Sequence, residues 1–410
     1  MLSPYRVLDL TDESGLICGK ILADLGADVI KIEPPGGSSA RTVGPFYNDI
    51  PDVEGSLFWL AYNTNKRSIT LNLETRDGHE IFRRLAQTAD FIIESFPPGY
   101  MDRVGLGYSS LAEMNTRLIV ASITPFGQAG PYRDYKSSDL VALALGGLMY
   151  SIGDPDRAPL RFSLEQSWAQ AGLQAAMALL IAHHYRSQTA HGQYIDISVQ
   201  ECVTSILEHR YHYPEYGEEG TERRRGPRVS RGGGKSAPLH IWPCKDGYVC
   251  WRLFSAAQAP KTVALVEWMK EEGLDGELGN VDWKAVDFEQ LSQEQLDQYE
   301  AAFGKFFLSH MKAELQSESV KRGIMLFPVN TAEELLTDKQ LATRGFWVDI
   351  VHPALDCTLT YPGLPAKMES PLLGKPRPAP RIGEHNLDIY VSELGFSWER
   401  LSMLRQAGVI

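Results

Sequence analysis

Along the N-terminal half of the chain, short apolar runs of strand type alternate with stretches in which apolar residues recur at helical spacing. Val7-Leu8-Asp9-Leu10 predicts a strand. Leu16 to Leu25 predicts a helix, with Leu16, Ile17, Ile21, Leu22 and Leu25 at helical spacing. Val29-Ile30-Lys31-Ile32 predicts a second strand, which stops at Pro34-Pro35-Gly36-Gly37. This is a βαβ unit. Further on, Ile69 and Leu71 alternate with Thr70 and Asn72, a helix is expected around Glu80 to Ala86, and strands at Phe91-Ile92-Ile93 and Leu118-Ile119-Val120-Ala121. Repeated βα alternation builds a mostly parallel sheet with helices on both faces, an α/β fold.

Ser163 opens a long Ala- and Leu-rich helical pattern, SLEQSWAQAGLQAAMALLIAHHY, with Ser163 as the expected N-cap and Gln166 completing a capping box. Tyr194 to Val199 predicts another strand and Cys202 to Leu207 another helix, so the first domain is placed at 1–215. Hydrophobic periodicity then disappears over 216–235, a Gly- and Arg-rich linker. IWPCKDGYVCWRLF predicts two strands about the turn Lys245-Asp246-Gly247, and helical patterns follow to Lys321, giving a smaller α+β domain at 236–325. Pro-rich stretches such as GKPRPAPRIGEHN make 326–410 an extended arm, closed by a short helix from Ser397 to Gln406.

The 410 residues are 43% hydrophobic and 22% charged, which excludes a peptide-sized scaffold and global disorder. A net charge of -12 repels a polyphosphate backbone, so nucleic acid is not an expected partner. Five scattered cysteines without a CxxC pair suggest neither a zinc ribbon nor a disulfide framework, and a reducing cytoplasm fits them best. The start MLSPYRVLDLTDESG lacks the pattern of a signal peptide, and the run Ala175 to Ala182 is too short to cross a bilayer.

Familiar cofactor motifs are missing. Glu33 stands where a ribose-binding acid would end the second strand, yet only Gly15 lies between Leu10 and Leu16, so GxGxxG is absent. No P-loop, GxSxG or HExxH occurs, and His183-His184 at the end of an apolar helix reads as structural, beside the helix dipole. Arg223, Arg224, Arg225, Arg228 and Arg231, followed by Gly232-Gly233-Gly234-Lys235, form either an anion- or partner-gripping loop or a solvated one.

Several segments together resemble the family III CoA-transferases. They are LADLGADVIKIEPPGG with Arg41, NTNKRSITLNL, ESFPPGYMDRVGLGY, TPFGQAGPY, GLMYSIGDPDRAPLR, HGQYIDISVQE, the triglycine at Gly232, RGFWVDIVHP and APRIGEHN. The resemblance implies a Rossmann-like large domain with a parallel sheet, completed by residues 330–410, a small inserted domain, and an interlocked dimer. It implies that CoA or acyl-CoA is a substrate, with no permanently bound cofactor and no metal. Its contacts would be Arg41, Leu71, Ser95, Phe96, Arg103 and Lys136, of which the three cations suit a diphosphate and a ribose phosphate. Gly232, Gly233 and Gly234 would form the loop that shields the reacting centre.

In the family an Asp carboxylate attacks the acyl-CoA thioester to give a mixed anhydride, and the freed CoA thiolate then forms an enzyme thioester. Counting from Gly153 to Gly172 places Trp168 at that nucleophile. An indole has one N–H donor and no nucleophilic oxygen. Glu165, one turn earlier, is a weak substitute, because acids in a first turn commonly serve the helix dipole. Glu74, Asp12 and Glu13 also put acids where the family has neutral or basic CoA contacts. The racemase branch needs a histidine between Tyr132 and Leu145, and none is present. The expectation is a catalytically silent subunit working beside a homologous Asp-bearing subunit. The rivals are a self-sufficient homodimer using Glu165 and a non-enzymatic acyl-CoA-binding protein.

Overall fold

Strands β1 (Arg6–Leu10), β2 (Asp28–Glu33), β3 (Arg67–Thr70), β4 (Phe91–Glu94), β5 (Ile119–Thr124) and β6 (Tyr194–Ser198) form one parallel sheet in the order β3-β2-β1-β4-β5-β6. The computed structural model describes residues 1–154, 157–207, 237–287, 290–369 and 375–410. Strand connections are made by α1 (Leu16–Asp24), α2 (Leu57–Tyr62), α3 (Arg76–Ala86), α4 (Tyr100–Arg103), α5 (Tyr108–Met114), α6 (Asp139–Leu145) and α7 (Ser167–Thr189), and α8 (Val199–Ser205) follows the last strand. Central strands carry apolar residues on both faces because helices cover both. On one face Ile92 and Val120 pack with Phe82 and Leu85 of α3 and Leu111 of α5. On the other, Ile93 and Ala121 pack with Leu22 of α1 and Ala171, Ala175 and Leu179 of α7.

The chain divides into two units. The first gathers Met1–Gly147, Phe162–Ile206 and Gln340–Ile410, and the described residues of the second come from Leu148–Arg161 and Leu207–Lys339. The second unit holds the antiparallel strands β7 (Ile241–Cys244), β8 (Gly247–Cys250) and β9 (Phe327–Pro328), with α9 (Pro260–Glu271), α10 (Gln293–Ser309), α11 (Lys312–Arg322) and α12 (Ala332–Leu336). Its core is aromatic: Trp251 lies against Phe303 and Phe307, and Trp242 against Phe307. Helix α13 (Lys339–Thr343) leads into the returning segment.

That segment is not simply an extended arm. It contains an antiparallel hairpin, β10 (Trp347–His352) and β11 (Cys357–Pro362), then a π-helical stretch (Leu387–Glu393) and α14 (Trp398–Gln406), which is capped by Ser397. The segment closes the outer edge of β3: His385 N–H donates to Ser68 O (2.9 Å), Asn386 Oδ1 accepts from Thr70 N–H (2.9 Å), and Asn72 N–H donates to Val409 O (2.7 Å). Ile389, Tyr390, Leu401 and Leu404 join the same core as β1–β5. Alternating Trp347, Asp349 and Val351 against Val348 and Ile350 is a strand pattern that the proline content masked.

Helix α7 begins later than its pattern suggests. Its first residue is Ser167 and no side chain of its own caps it, so Ser163 and Gln166 form no capping box. The cap comes from α6 instead: Asp139 Oδ1 accepts from the Ser167 N–H (2.8 Å) and from its hydroxyl (2.7 Å). At the other end the helix continues past His183-His184 to Thr189. His183 packs on the Tyr5 ring and meets Arg186, and burial with that guanidinium lowers its pKa. Gly172 sets the spacing between α7 and α1, since a Cβ there would lie 2.9 Å from Ile17 Cβ and 3.2 Å from the Cys18 nitrogen.

Candidate active site

Strand order reverses between β1 and β4, and in an open parallel sheet ligands collect at the carboxyl ends beside such a reversal. The loops that follow these two strands are tied together. Ser95 Oγ accepts from the Asp12 N–H (2.8 Å) and donates to Asp12 Oδ1 (2.8 Å), and Asp12 also accepts from Ser14 N–H (3.0 Å). Beside Ser95, the Phe96 ring lies 4.5 Å from that of Tyr100, and the exposed Arg103 guanidinium is 5.9 Å from the Tyr100 ring centre. Lys136 is exposed in the loop leading to α6. Of the expected CoA contacts, Ser95, Phe96 and Arg103 are thus gathered on one loop and the short helix α4 that follows it.

The acids expected to oppose CoA are mostly occupied. Glu74 accepts from the Tyr100 hydroxyl, and burial together with that carboxylate pushes the Tyr100 pKa up to about 12. Glu13 accepts from Ser39 Oγ (2.9 Å).

The side chains of Arg41 and Leu71 lie inside the fold. Arg41 is fully buried: Nε and Nη2 grip Glu33 at 2.6 and 2.9 Å, Nη1 meets Glu54 at 2.7 Å, Nη2 also donates to Pro380 O at 3.0 Å, and the guanidinium stacks 3.8 Å from the Trp59 ring centre. Its donors are committed to the fold. Glu33 likewise serves this network and Ser68, which explains an acid at the end of β2 without a dinucleotide. The Leu71 side chain is buried in the core.

Beneath the β1 loop lies a charge cluster that motif reading missed. Lys66 Nζ donates to Asp9 Oδ2 (2.8 Å), Asn63 Oδ1 (2.9 Å) and Leu16 O (3.0 Å), while Lys31 Nζ meets Asp9 Oδ1 at 3.2 Å. Burial alone would raise the Asp9 pKa, but the two ammonium groups outweigh it and lower the pKa to about 2. Burial brings Lys66 down to about 8, with Asp9 opposing the shift. Because Lys66 holds the carbonyl that starts α1, the cluster fixes the turn between β1 and α1. Its signal was a charge set inside an apolar strand run, Asp9 in VLDL and Lys31 in VIKI.

Trp168 is the second residue of α7, half-buried against the core that α7 shares with the sheet. Glu165 precedes the helix, is exposed, and raises the pKa of Tyr62 in addition to the effect of burial. Asp139 is the carboxylate at the helix start, with Oδ1 spent on Ser167. The triglycine Gly232-Gly233-Gly234 and the Arg223–Arg231 loop lie outside the described residues. Among the described residues no group of His, Cys, Asp and Glu could hold a metal ion, and no helix is long and apolar enough to cross a membrane.

The profile of CoA-transferase family III matches residues 2–386. The chain belongs to CoA-transferase family III. Within this family it is 35% identical over 409 residues to the succinyl-CoA:(R)-benzylsuccinate CoA-transferase subunit BbsE of Thauera aromatica, covering 100% of this chain and 98% of that one. It is 31% identical to a formyl-CoA:oxalate CoA-transferase of Streptomyces avermitilis, covering 100% and 99% of the two chains. A crystal structure of a CAIB/BAIF family protein from Brucella suis superposes with a TM-score of 0.80 at 29% identity, covering 95% of this chain and 98% of that chain.

Proposed function

We propose that this chain is the non-catalytic subunit of a hetero-oligomeric family III CoA-transferase. The complex moves CoA from an acyl-CoA such as succinyl-CoA to a carboxylic acid such as benzylsuccinate. The observation that carries this reading is Trp168 as the second residue of α7. A carboxylate nucleophile at the start of that helix would gain from its dipole and from proximity to the strand ends. Trp168 brings an indole, Asp139 is buried with its Oδ1 on Ser167, and Glu165 is exposed ahead of the helix. Full-length likeness to a protein described as a subunit supports the same reading.

In this proposal the Asp belongs to a homologous partner, interlocked with this chain as the family resemblance implies, and the mixed anhydride and enzyme thioester form on that partner. A partner needs a surface to cover. Leu173, Met177, Ile181 and Tyr185 recur every four residues along α7 and are about half to three-fifths exposed, at 51%, 57%, 61% and 49%. An apolar stripe of this kind on a long helix is a contact surface. On the chain itself Ser95, Phe96, Arg103 and Lys136 form the proposed CoA-facing set.

The test is CoA exchange from succinyl-CoA to a panel of carboxylates that includes benzylsuccinate. It compares the purified chain alone with the chain co-expressed with an Asp-bearing homologue. Activity only in the mixed complex supports the reading. Turnover by the chain alone, abolished by Glu165→Gln, overturns it in favour of a self-sufficient enzyme.

A further inference from the structure

Alternation along the strands puts an acid where an apolar residue would be expected. Ile92 and Val120 face the core shared with α3 and α5, so Glu94 and Ser122, two positions on in each strand, face the same way, opposite to α7 and Trp168. They floor a cavity of about 340 Å³, walled by Tyr100, Met101, Leu106, Tyr108 and Tyr194, with Asp102 alongside. Glu94 is 3% exposed and accepts from Ser122 Oγ and from the Phe96 N–H (2.7 Å), and Tyr194 donates to Ser122 Oγ at 2.8 Å. The charged groups acting on Glu94 are Asp12, from the loop after β1, and Asp102 on α4, both negative. No lysine among the described residues lines this cavity. Among the described residues that line it, the cation is Arg133, which has a 42% exposed side chain and lies 3.4 Å from the still more exposed Asp134.

A buried acid with acidic neighbours and aromatic walls is complementary to an ammonium group, which supplies the missing positive charge and tolerates tyrosine faces. An exposed arginine on its lining suits an anionic group. We propose that this cavity binds a small amino acid-like zwitterion, its ammonium group at Glu94 and its anionic group at Arg133, in a site separate from the acyl-exchange centre. Binding converts the Glu94 carboxylic acid to a carboxylate paired with the ammonium and releases its proton to solvent. The driving force is a charge-assisted hydrogen bond to a carboxylate that otherwise holds that proton.

The test is titration calorimetry of the full chain with 5-aminovalerate, pentylamine and valerate at about pH 6, in two buffers of different ionisation enthalpy. The expected order of affinity is 5-aminovalerate, then pentylamine, then valerate, with proton release for the two amines. Glu94→Gln, which matches the shape of the protonated acid, should keep the fold by circular dichroism, abolish proton release and weaken 5-aminovalerate binding roughly tenfold or more. Arg133→Ala should weaken 5-aminovalerate but not pentylamine. Absence of saturable binding, valerate binding as tightly as the amines, or affinity unmoved by Glu94→Gln each overturns the proposal. None of these outcomes depends on which subunit carries out CoA exchange.

Discussion

Asp139 and Ser167 are joined twice: one carboxylate oxygen accepts both the backbone N–H (2.8 Å) and the hydroxyl (2.7 Å) of the serine. A residue of α6 therefore caps α7, and the start of α7 is fixed by tertiary structure rather than by its own sequence. Asp139→Ala should cost about 1 to 2 kcal/mol of unfolding free energy, the usual loss when a helix cap is removed. Ser163→Ala, at the cap that the sequence pattern suggests, should cost almost nothing. Urea midpoints of the two variants check this contrast.

Arg41 and Arg103 should part company in the same way. Arg41→Met leaves Glu33 buried without its cation and should destabilise the protein by about 3 to 5 kcal/mol. Arg103→Ala, at an exposed site, should move stability by less than about 0.5 kcal/mol. It should instead weaken CoA binding by roughly tenfold, measured by calorimetry. Loss of stability from Arg103→Ala would place its guanidinium in the fold and not at the ligand.

Glu94 carries a pH signature. Burial, with Asp12 and Asp102 adding to it against the Ser122 and Phe96 hydrogen bonds, pushes its pKa from 4.5 up to about 7. A raised acid pKa means that the neutral form is preferred in the fold. The stabilisation is complete below pH 4.5, is lost as pH rises towards 7, and changes no further above it. The span is about 3 kcal/mol. Glu94→Gln cannot titrate, so its unfolding free energy should gain on that of the wild type across this interval. Parallel pH curves would refute the assignment.

The exposed stripe on α7 makes a prediction about assembly. Met177→Glu places a charge in the middle of Leu173, Ile181 and Tyr185. It should leave the melting temperature of the isolated chain unchanged while lowering recovery of the mixed complex after co-expression, read by light scattering. An unchanged mass distribution would remove the stripe from the proposed contact.

The parallel sheet could be read from the chain because each central strand is a mainly apolar run ended by turn residues, as in Val29-Ile30-Lys31-Ile32 before Pro34-Pro35. What could not be read was the use made of charges inside those runs. Asp9, Lys31 and Glu33 look alike in sequence, yet the first two form a cluster below the α1 turn and the third anchors Arg41. Their partners, such as Lys66 for Asp9 and Ser68 for Glu33, come from separate positions along the chain, and periodicity carries no information on such pairings. Arg41 shows the same limit from the other side. Its side chain type suits a phosphate, but only the three-dimensional arrangement reveals that Glu33, Glu54 and Pro380 have taken its donors. The hairpin of residues 347–362 was hidden because nearby prolines outweighed its alternation.

The closure of β3 by Asn386 and Val409 has a bearing on biosynthesis. Strand β3 emerges from the ribosome more than 300 residues ahead of the groups that satisfy its outer edge, a separation fixed by pairs such as Thr70 with Asn386. Through most of translation that edge presents open N–H and C=O groups, the kind of surface that recruits another strand. A nascent chain held in this half-finished state has time to meet a second polypeptide before its own tail arrives. The β3 edge is therefore finished only when the C-terminal segment has been made.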